Sequence, residues 1–243
     1  MTSLKRWRSE ILQREKPGQK NLTERRRFNE SLLSAGGEKT TNSVAILVWG
    51  PPGAGKSTLL DKYPPETIFK NTDDIVQFNC NPTSQKEYWA CRKKNDTQQI
   101  DKYLNHLAIK QGKNLAIETT GNWYEPSWVA DLKTQGFGKI RVMCVFVNLV
   151  DEIWRRIKNR DQLSVTYQGL LETYVNSYYK NMEKLLKDSN IDDVTIYDNS
   201  GGKLQVLATT GKDQSTTTSS LPKESQVYRE WFTALTQIVS INV

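Results

Sequence analysis

Apolar and polar residues alternate in blocks along this 243-residue chain. Compact apolar runs at 44–49, 66–70, 114–118 and 140–149 are bounded by polar or Gly/Pro-rich stretches; short, β-branched runs of this kind predict strands. In the last of them Val142, Met143, Cys144, Val145, Phe146 and Val147 are consecutive, the pattern of a strand buried on both faces. A further strand is expected over 193–197, and a final strand or hairpin arm over 203–208. Between the runs lie helical patterns. A short helix over 56–63 is stopped by Pro64 and Pro65, another begins at 75–78, and 81–113 is polar and mostly helical, with Tyr88, Trp89 and Cys91 giving a partial apolar stripe. Pro126 suits the first turn of a helix to 134, and two more are expected over 151–160 and 167–187. Strands alternating with helices place the chain in the α/β class with a mainly parallel sheet.

The flanks read differently. Leu4, Trp7, Ile11 and Leu12 have helical spacing, Pro17 and Gly18 break it, and a second helix is expected over 22–33 before a linker at 34–43. Residues 1–43 are therefore a helical arm, and 44–210 the core domain. Residues 211–225, rich in Ser, Thr and Lys, read as a flexible linker. The stripe Val227, Trp231, Leu235 and Ile238 predicts an amphipathic C-terminal helix over 226–243 that docks back on the core.

Composition narrows the function classes. No run reaches 18 apolar residues and the N-terminus lacks an apolar signal core, so neither a membrane span nor a secretory signal is expected, and the default location is the cytoplasm. Cys80, Cys91 and Cys144 have no C-x-x-C spacing and His106 is the one histidine, which argues against structural zinc and against a Ser/His or Cys/His catalytic pair. The net charge of +7 favours anionic partners. Residues 1–27 hold nine Lys/Arg against three Glu. That basic arm could grip nucleic acid or simply form a solvated helical face.

The chemistry concentrates after the first strand. Gly50-Pro-Pro-Gly53-Ala54-Gly55-Lys56-Ser57-Thr58 fits G-x-x-x-x-G-K-[ST]. Glycines there let backbone N–H groups close around phosphate oxygens, Lys56 reaches the β- and γ-phosphates, and Ser57 ligates Mg²⁺. A nucleoside triphosphate site follows, with ATP and Mg²⁺ as the expected cofactors.

Ligands of parallel sheets collect at the carboxyl ends of the strands. That rule puts two further polar stations beside the loop, 71–74 after the second strand and 118–121 after the third. Asp73 is the candidate general base toward an acceptor hydroxyl, the alternative being that Thr72, Asp73 or Asp74 is only a helix N-cap. Glu118 and Thr120 are candidates for binding the acceptor or a metal-bound water. Arg155, Arg156 and Arg160 could fold over the transferring phosphoryl group, and the i,i+4 pair Arg156 and Arg160 shares a helix face. A competing assignment uses Asp151 and Glu152 as the acidic pair of a motor or helicase ATPase, and a third makes the chain a nucleotide-dependent nucleic-acid-binding module.

In order and spacing, the phosphate loop, Asn71-Thr-Asp-Asp74, Leu115-Ala-Ile-Glu-Thr-Thr120, the Arg-x-x-x-Arg helix and Tyr197-Asp-Asn-Ser200 resemble the zeta-toxin-type P-loop kinases and their polynucleotide-kinase-like relatives, over about residues 44–209. The resemblance implies a three-layer P-loop NTPase fold, here with helical N- and C-terminal appendages. It implies an ATP/Mg²⁺-dependent phosphotransferase acting on an alcohol group of a small molecule, nucleotide-sugar or polynucleotide. By it Asp73 is the base, Glu118 and Thr120 line the acceptor pocket, Arg156 and Arg160 are lid arginines, and Asn199 lies near the adenine. Val76 stands where such relatives often carry a basic residue.

Overall fold

The computed structural model describes residues 43–64, 67–94, 104–147, 150–158, 176–211 and 214–218. The expected arm at 1–43 lies outside them except for Ser43, and so do the C-terminal helix at 226–243 and Arg160.

The strands are β1 (Val44–Trp49), β2 (Thr67–Lys70), β3 (Asn114–Thr119), β4 (Lys139–Phe146), β5 (Asp193–Asp198), β6 (Gln205–Gly211) and β7 (Gln214–Thr218). They form one sheet in the order β2-β3-β1-β4-β5-β6-β7. The pairings from β2 to β5 are parallel, and β6 and β7 add on antiparallel. β1 is central, and its apolar run divides by the strand period of two. Ala45, Leu47 and Trp49 join one core cluster while Ile46 and Val48 join the other.

Each cluster is roofed by helices. On one face Val129 and Leu132 of α3 (Pro126–Thr134), Tyr178, Met182 and Leu185 of α5 (Asn176–Leu186), and Leu104, Leu107 and Ala108 of the helical residues 104–110 cover the sheet. On the other, Ala54, Leu59 and Tyr63 pack with Ile153 and Ile157 of α4 (Val150–Lys158). Helices over both faces of a mostly parallel sheet make a three-layer α/β architecture, within the α/β class that the alternating pattern predicted.

Several boundaries moved for local reasons. The helix after the phosphate loop is a 3-10 helix, Lys56–Lys62. Its first turn is tightened because the Thr58 N–H and hydroxyl both donate to the Gly55 carbonyl, at 2.9 and 2.6 Å. α1 (Thr72–Cys80) starts before the first apolar position, since Asn71 caps it: its side-chain oxygen accepts from Asp73 N–H at 2.8 Å and its carbonyl from Ile75 N–H. Asp73 is thus inside the first turn, and the simple N-cap role falls to Asn71. The polar stretch after α1 yields α2 (Gln85–Arg92), started by Ser84, whose hydroxyl accepts from Glu87 N–H. Residues 214–218, expected within a linker, instead pair with β6. Thr-rich segments suit strands, and only the Ser/Thr composition pointed to a linker.

Cys80 and Cys91, read from the sequence only as lacking zinc-site spacing, form a disulfide between the end of α1 and α2. Cys144 is buried in the core as expected, and burial pushes its thiol well up.

Trp49 ends the central strand, fully buried against Tyr124 and Tyr178 with ring centroids 5.7 and 6.3 Å away. Trp49→Ala should cost about 3–5 kcal/mol, read as a lowered urea midpoint; a loss below about 1 kcal/mol would contradict this packing.

Candidate active site

The parallel register brings the polar stations to one edge. Val48 is opposite Glu118 and Trp49 opposite Thr119, while Lys70 is opposite Ile117. The residue after β2, Asn71, therefore falls beside Glu118. The phosphate loop leaves β1 at the same level, with Gly50 N–H donating to the Thr119 carbonyl at 3.3 Å.

The loop is held closed by its neighbours. Gly53 and Gly55 have φ of 75° and 91°, the left-handed region that glycine favours. A Cβ at Gly53 would stand 2.8 Å from the Ile153 carbonyl of α4, and one at Gly55 would collide with the Asn199 amide. A Cβ at Gly50 would meet the Val145 carbonyl at 2.8 Å. The Ala54 carbonyl accepts from Asn199 Nδ2 at 2.8 Å, and the Asn199 N–H donates to Phe146. The end of β5 is thus stitched to the loop. The Asn199 Oδ1 is buried with no hydrogen-bond partner among the described residues.

Lys56 is 5% exposed and curls over its own loop, donating to the Gly50 and Pro51 carbonyls at 2.9 and 3.1 Å. Its ammonium also pairs with Glu118 Oε1 at 3.4 Å. The other Glu118 oxygen accepts from Asn71 Nδ2 at 2.8 Å, and Asn71 holds the Asp73 N–H. Asp73 Oδ1 accepts from the Tyr88 hydroxyl of α2. Burial and the Asp73 charge push the Tyr88 phenol well up, so at neutral pH it is the donor.

Arg156 approaches from α4. Its guanidinium donates to the Asn199 carbonyl at 2.7 Å, lies 3.4 and 3.5 Å from the Gly53 and Ala54 carbonyls, and is held by Glu152 one turn earlier. Glu152 is therefore engaged as the partner of a loop-facing arginine, and Arg155 is exposed. Thr120, partly exposed, donates to Asn122 Oδ1 at 2.7 Å on the turn after β3. Ser57 is half-buried and Thr58 exposed at the start of the 3-10 helix.

The donor set fits a triphosphate. Two cations, Lys56 and Arg156, sit on the loop with their hydrogens on carbonyls that phosphate oxygens can replace, and strongly charged acceptors take such bonds preferentially. For Mg²⁺ the chain offers the Ser57 hydroxyl. Among the described residues no group of three His, Cys, Asp or Glu is clustered for a metal, and Mg²⁺ in phosphoryl-transfer sites takes most ligands from phosphates and water.

Arg156 and the loop, Lys56 and Glu118, and Asp73 and Asn71 are brought together; Arg160 lies outside the described residues. Tyr88 was not singled out from the sequence; Asn71 stood there only as part of the polar station 71–74, and Glu152 only as half of the acidic pair of a motor or helicase ATPase. Asn71 had a signal in being the last polar residue before the helix, and Glu152 in its i,i+4 spacing to Arg156. Tyr88 had only a place on a partial apolar stripe.

No protein family and no curated protein sequence matches the chain. Solved structures do. A chain from the PezAT chromosomal toxin–antitoxin system of Streptococcus pneumoniae superimposes with a TM-score of 0.60 at 16% identity, over 93% of this chain and 97% of that one. The fold is that of the zeta-toxin-type P-loop kinases. The AvrRxo1-ORF1:-ORF2 structure with ATP matches this zeta-toxin-like fold with a TM-score of 0.57 at 11% identity, covering 86% of this chain and 72% of that one. At such identities the likeness concerns the fold, and the site rests on the residues described above.

Gly55→Ala should displace Asn199 from the loop and weaken binding of a fluorescent ATP analogue by about tenfold or more with the circular dichroism spectrum unchanged. Unaltered affinity would contradict the closed-loop geometry.

Proposed function

We propose that the chain is an ATP-dependent kinase that transfers the γ-phosphoryl group to a hydroxyl of a small molecule, nucleotide-sugar or polynucleotide. The observation that carries this is the continuous run of contacts from Lys56 through Glu118 and Asn71 to Asp73, which joins a triphosphate loop to a carboxylate on the next strand's helix. A pure NTPase has no need of that second station.

In this reading the N–H groups of the loop from Gly50 to Thr58 cradle the phosphates, and Lys56 moves from the loop carbonyls to the β- and γ-oxygens. Asp73 accepts the proton of the acceptor hydroxyl as its oxygen attacks phosphorus, and ADP leaves with the bridging oxygen's electron pair. Arg156 steadies the negative charge on the transferring group, with Arg160 assigned as the second lid cation. Glu118 and Thr120 orient the acceptor, and Asn199 borders the nucleotide. Ser57 would hold Mg²⁺, which would supply neutralisation of phosphate charge when bound.

The ATP in the AvrRxo1 assembly supports the nucleotide assignment. One solved neighbour comes from a toxin–antitoxin system and the other is an ORF1:-ORF2 structure, which supports a second protein as a partner of this chain. The proposed location is the cytoplasm.

Asp73→Asn should bind ATP within about twofold of the parent while phosphoryl transfer falls by about 10²–10⁴, measured by calorimetry and by ADP release with acceptor present. Transfer at the parent rate would remove Asp73 from the role of base.

A further inference from the structure

Among the described residues, α1 and α2 meet through a small buried cluster. Their shared cluster of buried residues is Val76, Tyr88 and Cys91, with Cys80 packed at its edge, and it is separate from the two clusters under the sheet. Val76, the residue in place of a basic one, is fully buried here and forms the floor on which Tyr88 rests. Two tethers reinforce this small contact, one at each end of α1. Near its start Asp73 accepts from Tyr88, and at its last residue Cys80 is bonded to Cys91 with Cα atoms 6.2 Å apart.

Tyr88 and Cys91 are three apart on α2, so they lie on one helix face. Whatever fixes Cys91 against α1 also fixes the Tyr88 hydroxyl over Asp73. α2 is otherwise an exposed helix: Gln85, Lys86, Glu87, Trp89, Ala90 and Arg92 all face solvent. Its start is organised locally by Ser84 and by Glu87, whose carboxylate accepts from the Thr83 N–H and hydroxyl at 2.8 and 3.0 Å. Those bonds shape the helix but do not attach it to α1.

We propose that Cys80 and Cys91 form a thiol–disulfide switch that controls the site through Tyr88, a positioning residue for Asp73. The proposal rests on the kinase reading for its effect on turnover, and on geometry alone for its effect on α2. In the oxidised protein the disulfide clamps α2 to α1 and Tyr88 holds the Asp73 carboxylate in one orientation. In the reduced protein α2 loses its covalent tie to α1, Tyr88 withdraws from Asp73, and the base is no longer aimed.

The exchange uses a low-molecular-weight thiol of the glutathione class. Cys80 is half-buried and Cys91 buried, so attack falls on Cys80. The reagent's thiolate forms a bond to Cys80 Sγ and breaks the Sγ–Sγ bond, releasing Cys91 as a thiolate that takes a proton from water. A second reagent thiolate attacks the mixed disulfide, freeing Cys80 and leaving the reagent as its own disulfide. Two electrons pass from two reagent thiols to the cystine, and the reverse sequence restores the clamp.

The test compares the full chain equilibrated in oxidised and in reduced glutathione, with disulfide content measured by mass spectrometry. On reduction, hydrogen exchange across 72–92 should rise, kcat for phosphoryl transfer should fall by about tenfold, and KM for ATP should stay within about twofold. Tyr88→Phe should show the lower kcat in both buffers, and Cys80→Ser with Cys91→Ser should match the reduced parent in both. A merely structural disulfide would leave Tyr88→Phe as redox-sensitive as the parent, and that outcome overturns the switch. Equal kcat in the two buffers also overturns it while leaving the kinase reading intact. If no acceptor is phosphorylated in either buffer, the kinase reading fails and exchange decides the clamp: a rise across 72–92 supports it and no change overturns it.

Discussion

A lysine ammonium buried to 5% exposure at the end of the central strand must have its charge and its hydrogens satisfied. In this protein the Gly50 and Pro51 carbonyls and the Glu118 carboxylate do so, and the surrounding structure follows from the pairing. The carbonyls are presented because the loop is tightly folded. Glu118 is presented because β3 runs parallel to β1 in a register that ends both at one level. Its second oxygen recruits Asn71, which caps α1 and so sets where Asp73 begins its helix. One electrostatic requirement thereby organises three strand ends.

The site has a donor half and an acceptor half with different mechanical support. The donor half is fastened to both sides of the sheet's carboxyl edge: Asn199 reaches it from β5, Arg156 from α4, and β3 bonds its first glycine. These elements rest on the large clusters beneath the sheet. The acceptor half depends on α1, whose first turn is fixed by Asn71; of its described side chains Ile75 alone joins one of those clusters, while Val76 and Cys80 pack on α2. Rigid phosphate binding beside a less constrained acceptor station is a physically reasonable division, because a triphosphate presents the same oxygens in any kinase whereas acceptors differ in shape.

Much of this was legible in the chain. β1, β3 and β4 announced themselves because a strand buried on both faces must be apolar throughout, and the phosphate loop because only glycine tolerates its backbone and close neighbours. Asp73 and Glu118 could be nominated because a parallel sheet gathers its strand ends, and Arg156 because a cationic helix face suits a transferring phosphoryl group. What escaped was set by tertiary contact. The Cys80–Cys91 bond depends on how two short helices meet, and the spacing of eleven residues does not encode it. Tyr88 looked like any member of a partial stripe, since its significance lies in a hydroxyl that meets a residue 15 positions away. The β7 strand was hidden because its Ser/Thr-rich composition suits both a solvated linker and an edge strand.

The central claim is that the loop feeds a phosphoryl group to an acceptor rather than to water. The direct measurement is to supply the protein with ATP labelled on the γ-phosphate, and in parallel on the α-phosphate, together with a pooled cell extract treated with nuclease or left untreated. The account predicts γ-label, without α-label, in a new product other than inorganic phosphate, formed by the parent and lost in Lys56→Ala. Recovery of γ-label only as inorganic phosphate from both extracts would contradict it.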